Sequence, residues 1–181
     1  METQKSNIGS KQRMVNLFLR LLAFALTLAA AILLGVDKQT KVVPLQISPN
    51  LPPLNVPVPA KWHYLSAFVY SFVTDVIASS YAAISLIFLI ANRNGKKGLE
   101  LILIILDLVM VALLFSSAGA SIAIGVIAYR GNSHVRWNKV CNIIDNFCEQ
   151  AGASFAVSLL GSLAFFLLIV LAAFSLHRRS K

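Results

Sequence analysis

The run Gly152–Leu176, GASFAVSLLGSLAFFLLIVLAAFSL, contains no charged residue and no proline. As a helix rising about 1.5 Å per residue it is longer than the roughly 30 Å hydrocarbon core of a bilayer. A lipid-exposed strand would need alternating polarity, which is missing. The run reads as a transmembrane helix. Working outward, three more segments have the same character: Val15–Val36, broken only by Asn16 and Arg20; Tyr64–Ala91, with Asp75 as its one charge; and Leu99–Ala128, with Glu100 at its edge and Asp107 inside. Composition agrees, since 57% of the chain is hydrophobic and only 13% charged. A soluble domain of this size could not cover such a core with so few charges. The expected fold is an all-α membrane protein, a bundle of four transmembrane helices over 15–36, 64–91, 99–128 and 152–176. Outer loops are expected at 37–63 and 129–151, with tails at 1–14 and 177–181.

The net charge of +9, from 16 Lys+Arg and 7 Asp+Glu, does not form one patch. It is divided among the ends of the apolar runs, which excludes nucleic acid as the partner it would otherwise suggest. Basic residues are densest in the N-terminal tail (Lys5, Lys11, Arg13), the 2–3 connection (Arg93, Lys96, Lys97) and the C-terminal tail (Arg178, Arg179, Lys181). Lys38, Lys41, Lys61, Arg130, Arg136 and Lys139 are spread more thinly over the other two connections. Both termini are therefore expected in the cytoplasm. A cleaved signal peptide ending near Ala29-Ala30-Ala31 competes with a retained first helix. The apolar run continues to Val36, which favours retention.

All six prolines (Pro44, Pro49, Pro52, Pro53, Pro57, Pro59) lie in the first outer loop. Proline opposes ladder and helix pairing, so an extended, semi-rigid strap is expected there. The second outer loop holds the only two cysteines, Cys141 and Cys148. An extracytoplasmic setting favours a disulfide between them over a metal site shared with His134 and Asp145, whose spacing matches no zinc pattern. There is no Cys-x-x-Cys, nucleotide loop, serine elbow or metalloprotease helix, and the three histidines (His63, His134, His177) are scattered. No catalytic, cofactor-binding or metal-ligating set is visible, and none is assigned.

The residues that require a reason are the intramembrane charges, each costing about 2.5–3.5 kcal/mol at a helix centre. Arg20 and Asp107 lie at similar depths on two helices that enter the membrane from the same side, so they are expected to pair. Snorkelling of Arg20 and protonation of Asp107 are the competing accounts. Asp75 belongs to a stripe of Ser71, Asp75, Ser79 and Ala83, matched by Ser117, Ser121 and Gly125 on helix three and by Ser154, Ser158 and Ser162 on helix four. Such small, polar faces pack helices together. Asp75 reads first as a packing residue; the alternative makes the chain a small proton- or cation-coupled transporter or channel that uses Asp75.

The chain resembles the plant CASP-like family, Casparian strip membrane domain proteins related to MARVEL domains, and its pattern is nearest to the first CASP-like subgroup. The resemblance rests on Arg20 and Asp107, on Gly131-Asn132-Ser133-His134, on Trp137-Asn138-Lys139-Val140-Cys141 through Phe147-Cys148, and on Ala67-Phe68-Val69-Tyr70. It implies a MARVEL-like bundle in the plasma membrane that forms homo- or hetero-oligomers with related four-helix proteins. It also implies association with membrane lipids, no enzymatic activity, and a scaffold that positions cell-wall-modifying enzymes. Strip-building members carry an aromatic and acidic stretch in the first outer loop, where this chain has its prolines, so the resemblance does not extend to the strip itself. Asp75 stands where an uncharged polar residue is expected.

Overall fold

A computed structural model describes residues 2–45, 54–91, 97–131, 134 and 139–180 of the chain. In chain order these form helix α1 (Glu2–Gly35), strands β1 (Lys38–Leu45) and β2 (Leu54–Lys61), a single 3-10 turn (Trp62–Tyr64), and helices α2 (Ser66–Ala91), α3 (Lys97–Arg130) and α4 (Asp145–Ser180). All four helices are long and apolar enough to cross a membrane, over Arg13–Gly35, Ser66–Ala91, Leu101–Arg130 and Asp145–Ser175. The chain is a four-helix membrane bundle. α1 packs on α2 and α4, and α3 packs on the same two, so α1 faces α3 across the bundle and α2 faces α4.

The radial distribution of side chains is the reverse of a water-soluble bundle. Phe18, Ile32, Ile87 and Phe174 point outward, while Arg20, Thr27, Asp75, Asp107 and serines of α2, α3 and α4 are buried. Lipid tails match the outer surface, and helices in lipid associate through small residues and interhelical hydrogen bonds rather than by hiding apolar area. At Gly161 a Cβ would lie 3.0 Å from Thr27 Cγ2, which shows how closely α4 approaches α1. One apolar cluster joins Ala23, Ala78, Ala82, Leu114, Phe165 and Leu168 in the half of the bundle nearer the termini. A second joins Leu34, Phe68, Ile144, Phe147, Ala151 and Phe155 at the hairpin end.

Several boundaries differ from the sequence expectation, including the end of α4, which runs to Ser180 within the expected C-terminal tail. α1 runs on into the N-terminal tail, to Glu2. α4 begins at Asp145, inside the segment read as loop. Its added turns place Phe147, Ala151 and Phe155 four residues apart on one face, buried in the hairpin-end cluster. The backbone N–H of Phe147, one of the donors a helix start leaves free, is accepted by Gln39 Oε1 at 3.0 Å. At the far end of α3, Gly131 adopts φ 71°, the left-handed conformation that terminates helices, and its N–H bonds to Ile127 O at 2.9 Å.

The first outer loop is a correction. The prolines were expected to prevent pairing, yet β1 and β2 form an antiparallel hairpin with the register Lys38↔Lys61, Thr40↔Pro59, Val42↔Pro57 and Pro44↔Asn55. All three described prolines fall on one parity of that register. In an antiparallel ladder, alternate pairs exchange no hydrogen bonds, so a proline on that parity removes no ladder bond. Pro49, Pro52 and Pro53 lie outside the described residues.

Candidate functional site

The polar groups inside the bundle form two bridges, one across each diagonal. The first joins α1 to α3. Arg20 grips Asp107 with both terminal nitrogens, Nη2 to Oδ2 at 2.8 Å and Nη1 to Oδ1 at 3.2 Å, and both side chains are buried. This fork-on-fork geometry is the strongest arrangement available to the two groups. α2 completes it from the side. Ser85 Oγ accepts from Arg20 Nη1 at 2.8 Å while donating to Ala82 O, and the Tyr81 hydroxyl donates to Asp107 Oδ1 at 2.7 Å. Asn16 Oδ1 accepts from Arg20 Nε at 3.2 Å. Three guanidinium nitrogens and both carboxylate oxygens thus have partners, which a buried ion pair requires if it is not to destabilise the fold. Nearer the termini, Arg13 donates to Leu89 O at 3.1 Å, a cation on the C-terminal turn of α2 where the helix dipole favours it.

The second bridge joins α2 to α4. Ser158 Oγ donates to Asp75 Oδ1 at 2.7 Å. Asp75 lies ten positions before Ser85 on α2, so the two bridges are about 15 Å apart along the bundle. Asp75 Oδ2 and the hydroxyl of Ser71, one turn away on the same helix, are buried without a hydrogen-bond partner. No Arg or Lys pairs with Asp75 among the described residues.

At the hairpin end, Cys141 and Cys148 are disulfide-bonded with their Cα atoms 5.7 Å apart, tying the turn before α4 to the start of that helix. The sulfurs are thereby withdrawn from any metal site with His134 and Asp145. Asp145 instead receives Lys41 Nζ at 2.9 Å, an exposed contact that holds β1 to α4. Trp62 Nε1 donates to Gly35 O at 3.0 Å and Gln150 Nε2 to Leu33 O at 2.8 Å, so the end of α1 is fixed by both the hairpin and α4. Beside them Asp37 is 2% exposed, its Oδ2 has no partner, and burial pushes its carboxyl up to about 6.

The structure brings Arg20 and Asp107 together and places Asp75 apart from them, against Ser158; sequence reasoning did not single out Tyr81, Ser85 or Asn16 as partners of the pair. The signal for Tyr81 and Ser85 was present as a four-residue spacing on α2, but a strict four-residue stripe drifts off a 3.6-residue helix. The buried face turns from Ser71 and Asp75 through Ala78 and Ala82 to Ser85, while Ala83 lies only half-buried. Asn132, Ser133, Arg136, Trp137 and Asn138 of the second outer loop, and Arg93 and Lys96 of the 2–3 connection, are outside the described residues.

Comparison with known proteins agrees with this geometry. The model of the Casparian strip membrane protein domain matches residues 9–164. The chain is 60% identical to CASP-like protein 1E2 of Vitis vinifera, over 94% of this chain and 88% of that one. It is 58% identical to CASP-like protein 1E1 of Glycine max, over 91% and 88%. With CASP-like protein 1E1 of Arabidopsis thaliana the identity is 49%, over 97% and 93%. No solved structure matches the chain. With a family domain spanning three of its helices and most of the fourth, and relatives alike over nearly their whole length, the chain belongs to the CASP-like membrane proteins.

Proposed function

We propose that the protein is a non-enzymatic scaffold of the plasma membrane, which self-associates or joins related four-helix proteins into membrane domains and positions cell-wall-modifying enzymes through its outer loops. The observation that carries this reading is the closure of the bundle's polar chemistry. Arg20, Asp107, Tyr81 and Ser85 satisfy one another inside the core, and among the described residues no group of three His, Cys, Asp or Glu could hold a metal ion. What the molecule offers its surroundings is a lipid-matched flank and a braced outer end, where the hairpin, the disulfide and the Lys41–Asp145 contact restrict movement. In this reading both termini are cytoplasmic, and their Lys and Arg residues add attraction to anionic lipids of about 1 kcal/mol each.

The test is lateral mobility of a fluorescent fusion in a plant plasma membrane, read by photobleaching. Recovery over minutes or longer, confined to patches, is the expected outcome. Fast, complete recovery at the rate of a free four-helix monomer would overturn the scaffold.

A further inference from the structure

The hydroxyls buried in this bundle direct their protons to carbonyls. Thr27 donates to Ala23 O, Ser117 to Leu114 O, Ser121 to Ala67 O, Ser154 to Ala30 O and Ser162 to Leu159 O. Ser158 gives its proton to Asp75. The interior is therefore rich in oxygen lone pairs and short of donors. Of the three buried side-chain atoms without a hydrogen-bond partner among the described residues, Asp37 Oδ2 lies at the hairpin end, and Asp75 Oδ2 and Ser71 Oγ lie one turn apart on the inner face of α2, on residues 1% and 0% exposed. The bundle's one deeply buried arginine is fully engaged by Asp107, Ser85 and Asn16 on the other diagonal.

We propose that Ser71 and Asp75, with Ser158 bracing the carboxylate from α4, form a binding site for a small monovalent cation, sodium, held in the centre of the bundle. The donor set is all oxygen, which suits a hard alkali cation and not a transition metal. It contains a single carboxylate, so a monovalent ion leaves the site neutral, whereas a divalent ion would leave an uncompensated charge in a low-dielectric core. The serine hydroxyl turns its lone pairs to the ion and its proton away. The Ser158 hydrogen bond occupies Asp75 Oδ1 and leaves Oδ2 for the ion. The ion is a structural ligand of α2, held by the carboxylate that Ser158 braces from α4, and the site does not depend on the scaffold reading.

The experiment uses the full-length protein in detergent micelles at pH 8. Thermal unfolding is followed while sodium chloride replaces choline chloride at constant ionic strength. The expected result is a saturable rise in melting temperature with sodium, as binding to the folded state alone requires. Ser71→Ala should retain the response with its midpoint moved to about fivefold to tenfold higher sodium, and Asp75→Asn should melt at one temperature in both salts. Identical melting of the unaltered protein in sodium and choline would overturn the site, as it would if a proton or a water molecule satisfied these oxygens. An undiminished sodium response in Asp75→Asn would overturn it equally. Should Asp75→Asn fail to fold, the Ser71→Ala midpoint decides alone: an unchanged midpoint rejects the assignment.

Discussion

Replacing Arg20 by Leu leaves Asp107 buried with only Tyr81 as a side-chain donor, and the reciprocal change strands a guanidinium. Each should destabilise the bundle by about 3–5 kcal/mol and reduce surface expression several-fold. The double Arg20→Leu, Asp107→Leu variant removes both charges together and should be less damaging than either single change, which a comparison of surface expression checks. Tyr81→Phe removes one donor from Asp107 and should cost about 1–3 kcal/mol, read as a lowered melting temperature. Asp37 makes a prediction of opposite character. Its carboxyl titrates near 6 in the fold against an ordinary 3.8, so the charged form is penalised above about pH 6. As pH falls from 7 towards 4 the folded state takes up the proton first, and stability should rise by up to about 3 kcal/mol from this residue. Asp37→Asn should melt higher than the unaltered protein at pH 7, and the difference should shrink at pH 4.5. A difference that grew on acidification would exclude burial as the cause.

At the scale of elements, Gly161 sets the distance between α4 and α1. Gly161→Val forces atoms into Thr27 and should cost about 1–3 kcal/mol, lowering the melting temperature in micelles without altering helix content. Gly152, whose added Cβ meets nothing within 4 Å, is the control: Gly152→Ala should be silent. The helices themselves were legible in the sequence, because a charge-free run such as Gly152–Leu176 has one stable conformation in a solvent without hydrogen-bond partners. Their ends were less so. α4 begins at Asp145 because of a packing face against Leu34 and Phe68 and an accepting cap from Gln39, all supplied by parts of the chain distant in sequence. The hairpin was not legible at all. Whether Pro57 and Pro59 forbid a ladder depends on the parity of the register, which composition does not encode. The depth of Arg20 and Asp107 could be read by counting residues along two helices. Their side-chain partners on α2 depended on how that helix is rotated.

For the whole molecule, the two bridges cross at different levels, α1 to α3 and α2 to α4. Neither pair of facing helices can rotate about its own axis without breaking a buried hydrogen bond. The flank shown to lipid is accordingly constant, which is what a protein needs if neighbours are to recognise it repeatedly within a patch. Crowding in such a patch would bring the outer hairpins of many copies close together, and a free strand edge is a template for runaway sheet formation. At Pro57 and Pro59 the outward edge of β2 has no N–H groups to offer an incoming strand. The same residues that leave the ladder intact on one side thus remove donors on the other, so the β2 edge of the hairpin is a poor template for an incoming strand.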